Sequence, residues 1–228
     1  MHKLRSSGIG RRAAIRRLVC LAGGTVLAAP LLGRVKPALA EGEGNVLRVE
    51  EDWYVKIGVP EPGEDSPQIT TVLAPSWATS GNLGIFDLNC ATQPNFSSGG
   101  VQLQLWYNGA MIQARSNTNW DSIHYEGEEI CYTSAMSLAN GQISFEIING
   151  TSNTWGAFGT GELKLQNASW RNNLNAYDPN CSVTNSRVGF ASHRVRSFVL
   201  QRIRYYSQNG LKSTDDTPRV LHQYDPVT

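Results

Sequence analysis

Long apolar runs, helical periodicity and catalytic signatures are all scarce in this 228-residue chain. No stretch beyond residue 40 comes near the ~20 apolar residues that carry a helix across a bilayer. A membrane span in the mature chain is therefore not expected. No C-x-x-C occurs, which leaves zinc and thiol-redox chemistry with little support. No G-x-S-x-G elbow occurs either. His124, His193 and His222 stand far apart with no paired spacing, so a nucleophilic triad lacks its base. Internal repeats and low-complexity linkers are missing, and one domain is the simplest organisation.

Acid is missing from the first 40 residues, and that absence is informative. Eight of the 20 Lys+Arg lie there, among them Lys3, Arg5, Arg11, Arg12, Arg16 and Arg17, whereas none of the 19 Asp+Glu do. The apolar run LVCLAGGTVLAAPLL and then Ala38-Leu39-Ala40 follow, the layout of an export signal with an A-x-A cleavage pattern. Residues 1–40 are thus expected to be a signal peptide. Residues 41–228 are expected to form a single sandwich domain with mobile ends at 41–45 and 213–228. The product would be exported, to the periplasm, the cell surface or the medium. Arg11-Arg12 and the weak apolar run fit twin-arginine export, while ordinary secretion and an uncut anchor stay open.

Cleavage changes the electrostatics. Residues 41–228 keep 12 Lys+Arg against 19 Asp+Glu, a net charge of −7. A nucleic-acid partner is excluded, because phosphate binding needs clustered positive charge. Arg187, Arg194, Arg196, Arg202 and Arg204 do cluster, and they are expected to balance the acidic stretch Glu41–Asp65. Cys90, Cys131 and Cys181 remain after cleavage. Export permits a disulfide, but an odd count leaves one cysteine over, and the pairing stays open.

What is abundant is strand and turn. Trp53, Val55 and Ile57 alternate with Tyr54 and Lys56. Phe86, Leu88 and Cys90 alternate with Asp87 and Asn89. VQLQLWY and AMIQAR flank Asn108-Gly109, whose residues tolerate positive φ and signal a hairpin. QISFEII, RVGFASHRV and SFVLQRIRYYSQNG add further strands, and one short helix is expected near Asn172–Tyr177. About a dozen such runs predict an all-β fold, an antiparallel two-sheet sandwich of the concanavalin-like jelly-roll kind.

The end FVLQRIRYYSQNG resembles the closing strand of concanavalin-like and laminin-G-like sandwiches. The block NGTSNTWGAFGTGEL with NLNAYDPNCSVTNSRVGFASHRV resembles a group of uncharacterised exported bacterial proteins, over most of residues 46–210. The resemblance implies the sandwich fold and carries no functional residues with it.

The candidate site starts from one strand. With Val101, Leu103, Leu105 and Tyr107 facing the core, Gln102, Gln104 and Trp106 line an outer face. An indole stacks on the C–H face of a sugar, and amides both donate and accept to its hydroxyls. Gln113 and Arg115 on the hairpin partner would extend this face, and Asp87, Asn89 and Glu146 would join if their strands adjoin. The expected partner is a glycan or a cell-envelope polysaccharide. A cover over Trp106 by the loop TSNTWGAFG would instead make it a second small core. A structural or adhesive surface component is the alternative function, through exposed strand edges.

A glycoside hydrolase is a third reading, for which Glu146 and Glu128 are the carboxylates to test. Glu126, Glu128 and Glu129 otherwise read as a solvated loop. No organic cofactor is expected. Calcium is the metal that sandwich loops invite, with Asp121, Asp178 and Asn180 as candidate ligands, although no EF-hand-like spacing supports them.

Overall fold

The computed structural model describes residues 44–58, 67–78, 81–90, 100–117, 123, 126–189 and 191–225. Trp120, Asp121, His124 and the proposed signal lie outside the described residues. The described residues form thirteen strands: β1 (Arg48–Ile57), β2 (Gln68–Leu73), β3 (Asn82–Asn89), β4 (Val101–Tyr107), β5 (Ala110–Ser116), β6 (Glu128–Ala139), β7 (Gln142–Ser152), β8 (Gly156–Phe158), β9 (Lys164–Ala168), β10 (Arg187–Gly189), β11 (Val195–Ser207), β12 (Gly210–Asp215) and β13 (Arg219–Gln223). Among the described residues, one α-helix, α1 (Pro179–Asn185), and a 3-10 turn at Ser192–Arg194 interrupt them. The fold is an all-β, antiparallel two-sheet sandwich.

The larger sheet has eight strands. Its order is β12-β11-β1-β6-β7-β8, with β13 also on β11 and β9 also on β7. The smaller has five, in the order β10-β2-β3-β4-β5. Strand alternation sorts the side chains. On β1, Val49, Trp53, Val55 and Ile57 point inward and are buried, while Glu50 and Asp52 point outward beside Arg204. On the small sheet, Phe86 and Leu88 face Leu103 and Val101 across β3 and β4, all four buried. Phe86 meets Tyr132 of the large sheet edge-on, ring centroids 4.9 Å apart. Trp53 packs on Phe198 at 5.1 Å. Each such ring contributes roughly 2–3 kcal/mol of burial. Gly84 has a packing reason: a Cβ there would lie 2.6 Å from the Phe145 ring.

The turns follow local chemistry. Asn108 (φ 51) and Gly109 (φ 80) close the β4–β5 hairpin, both in the left-handed region that a type I′ turn requires. Asn149 has φ 55 too, yet it lies inside β7, where a register shift opposite Cys131–Thr133 marks a bulge instead of a turn. The helix comes later than the expected Asn172–Tyr177. Asp178 is its N-cap, accepting from the Asn180 N–H, and Pro179 follows at the first helical position. Proline suits that position because its missing N–H has no helical partner to lose. The tail expected to be mobile from residue 213 contributes Ser213–Asp215 of β12 and all of β13 to pairing with β11. Cys90 and Cys181 are buried and neither is disulfide-bonded, so neither pairs with Cys131.

One inward position on β1 carries a carboxyl. Glu51 is fully buried, accepting from Trp53 Nε1 at 3.1 Å and from the Tyr177 hydroxyl at 2.5 Å. Desolvation pushes its pKa up from 4.5 to about 7, against the hydrogen bonds of Tyr177 and Trp53 and the charge of Arg219. A carboxyl whose folded pKa is raised stabilises the fold fully below its unfolded pKa and loses that contribution as pH rises through the folded one. The loss amounts to on the order of 3 kcal/mol. The stability difference between the wild type and Glu51→Gln, from urea titrations, is therefore expected to shift against the wild type between pH 4.5 and pH 7. Parallel stability curves for the two proteins would contradict this.

Candidate functional site

The outer face of the small sheet carries a line of uncharged hydrogen bonds. Trp106 Nε1 donates to Gln104 Oε1 at 2.8 Å, and Gln104 Nε2 donates to Gln102 Oε1 at 2.8 Å. Gln102 Nε2 donates in turn to Ser116 Oγ at 2.9 Å. The alternation of β4 places these side chains i, i+2, i+4 on one face, and β5 supplies the serine opposite Gln102. Gln104 Nε2 also reaches Asp87 Oδ2 on β3 at 2.9 Å, and the Thr70 hydroxyl on β2 holds Asp87 Oδ1 at 2.5 Å. Four strands thus contribute to one connected network.

Asp87 is only 7 % exposed. Burial raises its pKa, against the Thr70 hydrogen bond and the positive charge of Arg187. Trp106 is half-buried, as are Gln102 and Gln104. A neutral glutamine has two donors and two acceptor lone pairs. Gln104 has given both donors to Asp87 and Gln102 and keeps one lone pair. Gln102 keeps one donor and one lone pair. The Trp106 N–H is committed, so what this indole offers outward is its ring face.

The expected members divide. Asp87, Gln102, Gln104 and Trp106 come together. Asn89 falls on the same side of β3 by alternation but is buried. Gln113 and Arg115 do not join. In a plain two-residue hairpin Gln113 would stand opposite Gln104. The register shifts after Trp106↔Met111, so Gln113 stands opposite Leu105 and Arg115 opposite Leu103. Ile112 is the extra bulge residue, and one extra residue sends every later side chain to the other face. Gln113 Nε2 and Arg115 Nη1 accordingly reach the backbone carbonyls of Gln166 and Glu162, beside β9.

Glu146 is on the other sheet. It faces outward from β7, 3.7 Å from Lys164 Nζ. Glu128, read from sequence as a solvated loop residue, begins β6 and is completely buried. It accepts from Ser152 Oγ and from the N–H and hydroxyl of Thr154. Glu128 and Glu146 therefore lie on opposite faces of the large sheet and cannot flank one glycosidic bond. Asp178 is engaged by Asn180 and by Trp77 Nε1 as a helix cap. Among the described residues no group of three or more His, Cys, Asp or Glu could hold a metal ion.

The loop TSNTWGAFG does not cover Trp106. Trp155 and Phe158 are buried, and Phe158 stacks 6.3 Å from Phe86 inside the sandwich. The outer face of the large sheet is filled by ion pairs. Arg204 grips Asp52 through two 2.7 Å contacts and Glu50 at 2.9 Å. Burial opposes ionisation of Glu50, but Arg48, Tyr206 and Arg204 hold its carboxyl below the ordinary value. Arg204 thus meets acids of the stretch Glu41–Asp65, as the sequence suggests, whereas Arg202 pairs with Asp216 and Arg196 lies over the Tyr224 ring.

Sequence reasoning missed a second group of aromatics. Trp170 is 86 % exposed, Trp77 50 % and Tyr107 41 %. No alternation flags Trp77 and Trp170, because both sit in irregular segments between strands.

No family model matches the sequence, and no curated protein matches it. Among solved structures, SCP-B, a member of the eqolisin family of peptidases in a complex with the tripeptide Ala-Ile-His, is similar at a TM-score of 0.29 and 11% identity. The match covers 78% of this chain and 82% of that one. A likeness this distant transfers no residue or activity. No helix among the described residues is long and apolar enough to cross a membrane.

Gln104 is the branch point of the network. Its replacement by alanine is expected to cost about 1–2 kcal/mol of stability and to raise the Asp87 pKa further, read by NMR titration of the carboxyl. An unchanged Asp87 titration would show that the amide does not restrain the acid.

Proposed function

We propose that the protein is an exported, non-catalytic sandwich that binds a cell-envelope or extracellular glycan on the outer face of its small sheet. The observation that carries this reading is the ordered line Ser116–Gln102–Gln104–Trp106, which holds an indole ring half-open to solvent beside amides with spare hydrogen-bonding capacity. The ring stacks on the C–H face of a pyranose. The remaining lone pairs of Gln102 and Gln104 accept from sugar hydroxyls, and the remaining Gln102 N–H donates. The indole is held by its own hydrogen bond, which reduces the ordering cost of binding. Burying about 100 Å² of ring contributes on the order of 2–3 kcal/mol. Binding at a single sugar is therefore weak, and an extended ligand along the strand raises it.

An adhesive role through self-association has one observation in its favour. β5 is an edge strand with Met111 and Ile112 exposed. The bulge at Ile112 works against it, since bulges blunt an edge against strand addition.

The full chain and its Trp106→Ala variant, compared on a glycan array, test the proposal. Loss of the ring is expected to weaken the best ligand by about 30-fold or more, the equivalent of ~2 kcal/mol. Equal binding by the variant would remove Trp106 from the site.

A further inference from the structure

We infer that a second, separate ligand site lies at one end of the sandwich and accepts a single acidic sugar residue, a pyranose bearing a carboxylate. A shallow cleft of about 50 Å³ marks the base of this site, lined by Pro75, Asn82, Tyr107, Ile143, Trp170 and Arg171, so the sugar would rest on the rim and not inside it. This inference does not depend on the Trp106 face, which uses other residues.

Three observations carry it. First, the aromatics are exposed on a segment that is tied down. Trp170 presents nearly its whole surface to water, which leaves ring surface available for stacking. Its segment is fixed on both sides. The Ser169 N–H bonds Gly141 O at 2.9 Å, and the Arg171 N–H bonds Ser169 Oγ at 3.2 Å. Asn82 Nδ2 holds Ala168 O at 3.0 Å, and Asn167 Nδ2 holds Asn82 Oδ1 at 2.7 Å. The ring is therefore presented by a braced segment, which lowers the cost of ordering it on a ligand.

Second, the chemistry of the lining is that of a sugar subsite. Tyr107 stands opposite Asn82 in the β3–β4 ladder, so a phenol and an amide meet at the rim. Ile143 adds apolar surface. Aromatic faces beside hydrogen-bonding groups match a pyranose, which is apolar on its C–H face and polar at its edge.

Third, the charge is of one sign. Arg171 is the only charged residue among the described residues that line the cleft. Its guanidinium lies 5.1 Å from the centre of the Trp170 ring, and Nη2 reaches Ser76 Oγ at 2.9 Å. Those contacts aim the group without using all five of its N–H donors. An aimed guanidinium is the group that pairs with a planar carboxylate. Residues 41–228 carry a net charge of −7, which repels a long polyanion. The occupant is therefore one acidic residue at a chain end or within a chain of mostly neutral sugars.

NMR titration of the tryptophan indole N–H signals of the full chain tests this, with trigalacturonate and its carboxyl-reduced neutral analogue as probes. Trp170→Ala assigns the Trp170 signal, and this exposed position is expected to leave the melting temperature unchanged. Trigalacturonate is expected to shift the Trp170 signal saturably. The neutral analogue and the Arg171→Gln variant should each bind about tenfold more weakly, as befits a charged hydrogen-bonded contact. Trp106→Ala should bind trigalacturonate like the wild type. A silent Trp170 signal, equal binding of the acidic and neutral probes, or full-strength binding by Arg171→Gln would each overturn the inference. Loss of binding in Trp106→Ala would overturn the separateness of the two sites.

Discussion

Phe86 on the small sheet meets Tyr132 on the large one with ring centroids 4.9 Å apart, and this contact joins the two layers. Phe86 also stacks with Phe158, which brings β8 into the same core. The Tyr132 hydroxyl stays buried and lies 3.5 Å from Thr71 Oγ1 on the opposite sheet. Burial drives its pKa well up, against that hydrogen bond, so it remains a neutral phenol. A polar group at the centre of the interface is thus satisfied across the gap between the sheets. Such pairing fixes their relative placement more sharply than apolar contact alone. Every outward-facing residue is positioned by this requirement, because a strand whose inner side is fixed has no freedom over its outer side.

That rule also explains what could be read from the sequence. Trp53, Phe86, Leu88, Val101, Leu103 and Leu105 alternate with polar residues, so their burial and the two-sheet class were legible. So was the grouping of Gln102, Gln104 and Trp106, which needs only the period of a strand. The bulge at Ile112 was not legible, because nothing in AMIQARS distinguishes a regular edge strand from one with an extra residue. It redirected Gln113 and Arg115. Glu128 misled for another reason. Three glutamates beside a glycine look solvated, but Glu128 is partnered by Ser152 and Thr154, more than 20 residues away. Only the tertiary fold brings that serine and threonine to it. The helix moved from its expected place because capping by Asp178 and Pro179 outweighed the weak periodicity upstream.

The two outer faces solve the same problem in opposite ways. On the large sheet, carboxylates and guanidiniums neutralise each other at Glu50, Asp52, Arg48 and Arg204. A ligand entering there would have to break charged contacts and replace each one. On the small sheet, Asp87 lies beneath Gln104 and against Thr70, and Arg187 on β10, opposite Thr70, sets a positive charge near it. The amides above it are oriented by their neighbours, yet a ligand can hydrogen-bond to them without first separating ions.

Orientation has a consequence for selectivity. Asp87 accepts from Gln104 Nε2, which fixes that amide with its carbonyl oxygen toward Trp106. The carbonyl oxygen of Gln102 is fixed in turn, because it receives the second hydrogen of the same amide. The carboxylate therefore sets the polarity of the whole line. If Asp87 took up a proton, one of its oxygens could donate, and the arrangement that turns the Gln104 amide would lose its cause. Its pKa is already raised by burial, so this happens nearer to neutrality than for an exposed aspartate. Acidification should loosen the line from its buried end outward, reaching Gln104 before Gln102, and Trp106 through the loss of its acceptor. Under the proposed glycan-binding role, this face would then lose discrimination among hydroxyl donors before it lost the stacking surface, because the ring rests on β4 while the amide orientation rests on one buried charge.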